Sequence, residues 1–444
     1  MSALAKYFHA LGKDVAGYDR TQTALTEELE HSEIPVHYKD ETDLIPEKFM
    51  HPEETLIVYT PAVPADCKEL NFFREKKFSV HKRAEVLGYI TLNKKAVCIA
   101  GTHGKTTVST MIAFLFHQSE FGCSAFLGGI SKNFKSNLVL SQASDYIVAE
   151  ADEFDRSFLK LHPEIAVITS VDADHLDIYG NKDEVIKSFG AFVGQVKQGG
   201  KLVMKKGIDI QAQSPDIEVF TYSLNEDTDF FAENIKLIDG KYHFDVVTPV
   251  EVIKNLSLEH PGIVNVENAV AAVAVASLAG ISRHVIKTAI TEFTGVKRRF
   301  DYIIRSDNLV FIDDYAHHPR ELEATIRSVK KLYSGKKITG IFQPHLYSRT
   351  RDFANEFAES LSLLDELILL DIYPARELPI EGVSSEIIFE KVKIKDKYLI
   401  TKNDLPGFLN NKDIEVLLTM GAGDIDQLVD PIRSELYRNL RINL

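Results

Sequence analysis

A chain of 444 residues, 45% hydrophobic and 26% charged, is long enough for about two to four domains with separate cores. Its net charge of −14 argues against nucleic acid or an anionic membrane as the main partner, yet leaves room for an anionic small substrate in a local positive pocket. The three cysteines (Cys67, Cys98, Cys123) lack metal or disulfide spacing, no apolar run approaches a membrane span, and no signal-peptide pattern opens the chain, so a cytoplasmic protein is expected.

Residues 1–86 read as a small α/β domain. Ala3, Leu4, Tyr7, Phe8 and Leu11 form one helical face, closed by Gly12. Residues 14–18 are predicted as a short strand ending at Asp19. An acidic residue there is where a nucleotide-binding fold often reads a ribose or positions a phosphate loop. Residues 55–60 form a further strand, stopped by Pro61. The chain opens on a helix, yet the next strand resembles the second strand of a Rossmann-type unit. The first strand and its glycine turn are expected ahead of it, which points to a truncated domain or a misassigned start.

Residues 87–296 read as a second domain, centred on Gly101-Thr102-His103-Gly104-Lys105-Thr106-Thr107. A buried strand over 96–100 precedes this stretch. Val108, Met111, Ile112 and Leu115 then recur at helical spacing, predicting an amphipathic helix. The two glycines let backbone N–H groups crowd around an anion, Lys105 adds a point charge, and the helix start adds a partial positive end. Thr106 sits where a phosphate loop needs a hydroxyl for Mg²⁺. The spacing is tighter than in the usual phosphate loop, so the stretch is either a variant of it or an ordinary Gly-rich helix cap. The flanking strand and helix favour the first reading.

A strand over 145–149 delivers Glu150, Asp152, Glu153 and Asp155. A strand over 165–171 delivers Asp172, Asp174, His175 and Asp177. One acidic turn is usually a solvated loop. Two of them, each ending a strand beside a phosphate loop, favour a divalent cation such as Mg²⁺ or Mn²⁺. Residues 201–205, 219–222 and 242–247 suggest β-structure, and 261–280 a helix rich in small residues. Asn265 and Asn268 near its start either cap it or read an adenine edge, capping being the commoner role. The basic run Lys297-Arg298-Arg299 marks the next boundary. Such a run is usually a solvated hinge; the alternative is a phosphate clamp.

Residues 297–444 read as a third domain of strand–helix units. Strands over 309–312, 338–342, 367–370 and 416–420 each lead into polar residues. These include Tyr315 and His317 after the first, and His345 and Arg349 after the second. Pro319 starts a helix carrying Leu322, Ile326 and Val329 on one face. A later helix carries Phe353, Phe357 and Leu361. The repeated pattern implies a Rossmann-like binding edge.

With GTHGKTT, EADEFDRSFL, DADHLDIYG, VKRRFD, DDYAHHP, QPHLYSRTRD, LLDIYPARE and MGAGD in this order, the chain resembles the Mur ligases, the ATP-dependent amino-acid-adding enzymes of peptidoglycan synthesis. The resemblance runs from residue 2 nearly to the C-terminus. It implies a three-domain α/β architecture: a truncated Rossmann-like domain for a UDP-sugar, a central P-loop ATPase domain, and a C-terminal Rossmann-like domain for the incoming amino acid. It implies that ATP phosphorylates the lactyl carboxylate of UDP-N-acetylmuramate and that L-alanine displaces phosphate from the acyl phosphate. By this resemblance Gly101 to Thr107, Asn265, Asn268, Arg298 and Arg299 bind ATP. Thr106, Glu150 and His175 hold the metal. Asp19, Tyr315, His317, His345 and Arg349 bind substrate, with one of the two histidines as the base. A monomer or weak homodimer is expected. Three departures stand out: the missing glycine turn, Val264 where many relatives have histidine, and Leu346 where an arginine is often found. A tripeptide-adding recycling ligase and an inactive nucleotide-binding relative are the alternatives.

Overall fold

A computed structural model of the chain describes residues 1–172, 179, 181–211, 216–375, 377–410 and 412–442. These fall into two compact units. The first comprises Met1–Glu233, Asp245–Leu256 and Asn268–Thr291; the second comprises Asn234–Phe244, Ser257–Glu267 and Glu292–Leu444.

In the first unit, the opening helix Ser2–Ala10 buries Ala3 and Leu4 in the same apolar core as Cys98, Ala149 and Phe158. Leu11 was expected on that face but is exposed, because the helix stops at Ala10 and Gly12 turns the chain at φ +74°. The strand expected over 14–18 shortens to Gly17–Tyr18. Its parallel partner, Val36–His37, offers only two residues to the ladder. Leu56–Tyr59 pairs in parallel with Ser79–Lys82.

The centre of the ten-stranded sheet positions the turn at 101–104. Strand Lys95–Ala100 lies between Tyr146–Glu150 and Ile165–Ile168, parallel to both. Val97, Cys98, Ile99 and Ala100 are fully buried, as a strand covered on both faces requires. Glu150 lies inside its strand, paired opposite Ile99. The strand expected over 165–171 ends at Ile168, since Thr169 and Ser170 turn their hydroxyls onto the loop.

Helix Lys105–His117 is buried from Thr106 to Phe116 and is therefore not amphipathic. The sheet packs on it, and Phe134 stacks edge-on against Phe114 and His117. Burying each of Val108, Met111, Ile112 and Leu115 contributes about 1.5–3 kcal/mol. That outweighs the weak helix propensity of its threonines and Val108, about 0.5 kcal/mol each.

The second unit carries a six-stranded sheet. Its order is Asp301–Arg305, Val310–Asp314, Val416–Met420, Ile338–Phe342, Glu366–Leu369 and Lys397–Leu399. Only the first pair is antiparallel. Val310–Asp314 runs two residues beyond the expected strand end, because Thr419 on the neighbouring strand donates to Asp313 and keeps that carboxylate in the ladder region. Helix Pro319–Leu332 has the expected start, with Glu321 closing a capping box and Leu322, Ile326 and Val329 buried. The later helix divides into Tyr347–Asp352 and Ala354–Leu361, with Phe353 at the break. Among the described residues no helix is long and apolar enough to cross a membrane.

Candidate active site

Residues 101–104 form a turn whose shape depends on its glycines. Gly101 has φ +138°, and a Cβ there would fall 2.1 Å from Thr169 Oγ1. Gly104 has φ +84°, and a Cβ there would stand 3.0 Å from Asn268 Oδ1. Side chains from the adjacent strand end lace the turn together. Thr169 Oγ1 donates to the His103 carbonyl at 2.5 Å, Ser170 Oγ accepts the His103 amide at 2.8 Å, and Thr102 Oγ1 lies 2.9 Å from Ser170 Oγ. His103 Nε2 stands 3.4 Å from Asp172 Oδ2. The helix that begins at Lys105 adds its N-terminal partial charge to this nest. Such a turn can receive an anion, and an ordinary helix cap does not call for its lacing by Thr169 and Ser170.

Lys105 Nζ donates to the Gly101 carbonyl at 2.6 Å and to Glu153 Oε1 at 2.9 Å, with Glu153 Oε2 at 2.8 Å. Glu153 is buried, and Tyr179 donates its hydroxyl to the Glu153 carbonyl at 2.6 Å. Burial pushes the Glu153 carboxyl up to about 7, against the pull of Lys105. Burial also works against the Lys105 ammonium, but Glu153, Glu150 and Asp152 outweigh it and hold that amine above its ordinary range. Lys105 therefore keeps its proton at neutral pH.

Glu150 Oε2 accepts the Gly128 amide at 3.1 Å. A Cβ on Gly128 would sit 2.1 Å from that oxygen, so glycine is what lets the carboxylate lie there. Thr106, at the helix start, and Glu150, at the neighbouring strand end, supply hard oxygen donors. No group of three or more His, Cys, Asp or Glu side chains gathers among the described residues. Such a sparse set fits Mg²⁺, which is held by one or two carboxylates together with substrate phosphates and water. His175, Asp174 and Asp177 lie outside the described residues.

Asn265 and Asn268 share helix Ile263–Leu278 and are both buried. Asn265 is not an N-cap: its side-chain amide donates back to the Pro261 carbonyl at 2.5 Å. Asp19 is exposed and accepts the Thr21 amide at 3.0 Å.

In the second unit, Tyr315 organises the polar edge. The guanidinium carbons of Arg298 and Arg299 lie 5.1 and 4.7 Å from its ring centre. Arg298 is fully engaged: Nε lies 3.3 Å from Asp313 Oδ2, Nη2 donates to the Gly421 carbonyl at 2.7 Å, and Nη1 is 3.7 Å from Asp426. The basic run is thus not a solvated hinge at Arg298, because a buried carboxylate claims that side chain. Asp314 is also buried and accepts the Phe300 and Ala316 amides at 2.8 and 2.7 Å. Burial raises its carboxyl to about 6, with Arg299 opposing.

His317 Nδ1 lies 3.0 Å from the Tyr315 carbonyl and 3.2 Å from Glu321 Oε2. Two acceptors at one nitrogen place the ring proton on Nδ1 and leave Nε2 as the basic atom. The ring centres of His317 and His345 are 6.1 Å apart, and His345 stacks on Tyr373 at 5.8 Å. Arg349 is buried on the short helix Tyr347–Asp352. Leu346, just before that helix, has φ +71° and ψ +137°, rare values for a residue with a side chain.

Sequence reasoning singled out the two arginines and the two histidines, but not their holders. Glu153, Asp313, Asp314 and Glu321 set the geometry. Glu153 was read as part of an acidic cluster for a cation, and the structure turns it onto Lys105 instead; the Asp313-Asp314 doublet at a strand end, and Glu321 three residues after His318, also carried a recognisable signal.

Comparison with known proteins matches three family segments along the chain. The profile "Mur ligase family, catalytic domain" matches residues 1–95, "Mur ligase middle domain" residues 99–276, and "Mur ligase, glutamate ligase domain" residues 298–423. The UDP-N-acetylmuramate–L-alanine ligase of Parabacteroides distasonis is 53% identical over 442 residues, covering 99% of this chain and 96% of the relative. The solved UDP-N-acetylmuramate–alanine ligase of Thermotoga maritima superposes with a TM-score of 0.82 at 26% identity, covering 99% and 97% of the two chains. A murein peptide ligase from Psychrobacter arcticus shares the fold with a TM-score of 0.70 at 20% identity, covering 98% and 96%. The chain belongs to the Mur ligase family.

Proposed function

We propose that this chain is an ATP-dependent ligase joining L-alanine to the lactyl carboxylate of UDP-N-acetylmuramate. The observation that carries the reading is the laced phosphate turn with Lys105 at its helix start, in a chain 53% identical over nearly its whole length to an alanine-adding relative. The alternative of a tripeptide-adding ligase has weaker support, since its solved counterpart shares only the fold. We place the reaction in the cytoplasm, with ATP and both cosubstrates as small-molecule partners, and we assign the UDP-sugar, ATP and amino acid to residues 1–86, 87–296 and 297–444.

The chemistry asks for phosphate neutralisation more than covalent help. A lactyl carboxylate oxygen attacks the γ-phosphorus and ADP leaves. The alanine amine then attacks the acyl carbon, and the carbon–oxygen bond to phosphate breaks. The turn amides of 101–104 and the Lys105 ammonium hold the terminal phosphates. Thr106, Glu150 and His175 hold Mg²⁺, which supplies further charge neutralisation when bound. Asn265 and Asn268 meet the adenine. Arg299 is the arginine available to an anion, since Arg298 is spent on Asp313 and Gly421. His317 Nε2 accepts the amine proton, while His345 and Arg349 orient the amino acid; Asp19 faces the UDP-sugar.

Phosphate release with ATP, Mg²⁺ and UDP-N-acetylmuramate tests this directly. Release should require L-alanine. Turnover with the tripeptide L-Ala-γ-D-Glu-meso-diaminopimelate alone would replace this reading, and nucleotide binding without release under any condition would favour an inactive relative.

A further inference from the structure

Glu153 is a buried carboxylate that the ligase chemistry does not itself require. It stands at the N-cap of the short helical turn Phe154–Lys160, yet its side chain makes no capping hydrogen bond and does not meet solvent; it lies against the one ammonium that a phosphate turn needs. Its position is fixed twice. The side chain accepts the Lys105 ammonium at Oε1, at 2.9 Å, with Oε2 in ion-pair contact at 2.8 Å, and the carbonyl is held by Tyr179 at 2.6 Å. The next two residues but one, Asp155 and Arg156, adopt φ of +53° and +54°, so the chain leaving Glu153 is bent into a conformation that side chains disfavour. Strain of this kind persists where the surroundings demand it.

An ammonium has three N–H donors in a tripod. At Lys105 one goes to the Gly101 carbonyl and one to the Glu153 carboxylate. With two legs fixed by buried partners, the third has a single direction left.

We propose that Glu153 is a positioning residue: its carboxylate, on a backbone whose carbonyl Tyr179 holds, fixes the Lys105 ammonium against the Gly101 carbonyl so that the remaining N–H is aimed at the transferring phosphate. The proposal rests on the phosphate-turn reading above. The carboxylate weakens the raw attraction of Lys105 for phosphate, so it contributes orientation and not affinity. Orientation errors of about 1 Å can cost on the order of 100-fold in rate. Loss of Glu153 therefore lowers kcat far more than it weakens nucleotide binding.

The experiment compares the full-length chain with Glu153→Ala, Glu153→Gln, Tyr179→Phe and Lys105→Ala. Thermal unfolding checks folding. A fluorescent N-methylanthraniloyl ATP reports binding without turnover, and phosphate release reports kcat. Glu153→Ala should lower kcat by roughly 30-fold or more while the nucleotide Kd moves less than about threefold. Glu153→Gln keeps an acceptor oxygen, so it should recover most of that loss and bind ATP more tightly. Tyr179→Phe keeps the fold less challenged and should lower kcat by a few fold with Kd unchanged. Equal kcat in wild type and Glu153→Ala would overturn the proposal, as would equal defects in Glu153→Ala and Glu153→Gln. If Glu153→Ala does not fold, an unaltered kcat in Tyr179→Phe overturns it instead. Lys105→Ala separates the two claims: if it binds and turns over normally, the phosphate-turn reading itself fails, whereas a dead Lys105→Ala beside a normal Glu153→Ala removes only the role given to Glu153.

Discussion

Arg298 Nε meets Asp313 Oδ2 at 3.3 Å, and this contact divides the work of two adjacent arginines. Asp313 is buried on a strand and receives Thr419 Oγ1 as well. Arg298 therefore neutralises a core carboxylate, while Arg299 faces Tyr315 with its guanidinium. Arg298→Ala should cost about 3 kcal/mol of stability, since it leaves Asp313 buried and unpaired. Arg299→Ala should cost less stability than Arg298→Ala, because Asp314 keeps its two backbone amide donors, yet lose about 10²-fold or more in kcat, the usual loss when a charge at the transition state is removed. Urea unfolding and phosphate release on the two variants check this; the opposite pattern would reverse the assignment.

Gly128 and Glu150 give a second expectation. The Gly128 backbone φ lies outside the left-handed region, so alanine fits the chain there, but its Cβ would fall 2.1 Å from the Glu150 carboxylate. The carboxylate must move, and the amide that orients it at 3.1 Å is screened. Gly128→Ala should raise the Mg²⁺ concentration for half-maximal activity about tenfold, in the range seen when a ligand's holder is lost. Mn²⁺ binding followed by electron paramagnetic resonance should weaken in parallel. An unchanged metal titration would remove Glu150 from the metal site.

Asp314 sets a pH dependence. Burial raises its carboxyl to about 6 in the fold, with Arg299 opposing, above the 3.8 of a free side chain. The folded chain therefore holds this proton more tightly than the unfolded chain does. The contribution to stability is fully present below about pH 4 and is lost as pH rises through about 6, a change on the order of 2–3 kcal/mol. Asp314→Asn cannot ionise. Relative to that variant, wild type should lose urea resistance between pH 4 and 7; parallel curves would contradict the assignment.

Leu346 holds φ +71° directly before the helix carrying Arg349, clamped by its amide to the Tyr373 carbonyl at 2.9 Å. A residue with a Cβ pays about 1–3 kcal/mol in strain there, and a β-branched one more. Leu346→Gly should therefore melt at a higher temperature than Leu346→Val, by an amount matching about 2 kcal/mol. Equal melting temperatures would mean that the backbone at 346 is not strained in solution.

Much of the architecture was legible in the residues. The buried strand before Gly101, the strand over 338–342 and the helix starting at Pro319 follow from apolar runs and a proline at the first helical position. The reach of Val310–Asp314 was not legible, because two aspartates end a strand only if nothing neutralises them, and Arg298 and Thr419 come from remote sequence. The full burial of helix Lys105–His117 was hidden for a related reason: its threonines look polar in the sequence, while Ser109 and Thr110 satisfy their hydroxyls on the Thr106 carbonyl. The site residues showed themselves by motif. Their holders depend on contacts that no local pattern announces: Glu153 stood out as one of an acidic cluster, yet nothing near it in sequence points to Lys105. Lys105 illustrates the point, since its contact with the buried Glu153 means that Lys105→Ala leaves a carboxylate without its cation.

The central claim is that a lactyl carboxylate is phosphorylated before alanine attacks. UDP-N-acetylmuramate carrying ¹⁸O in both lactyl carboxylate oxygens, turned over with ATP, Mg²⁺ and L-alanine, tests it most directly. One carboxylate oxygen leaves with the phosphoryl group, so mass spectrometry of the released phosphate should find one ¹⁸O per turnover. Phosphate free of label, released in step with amide formation, would contradict the account.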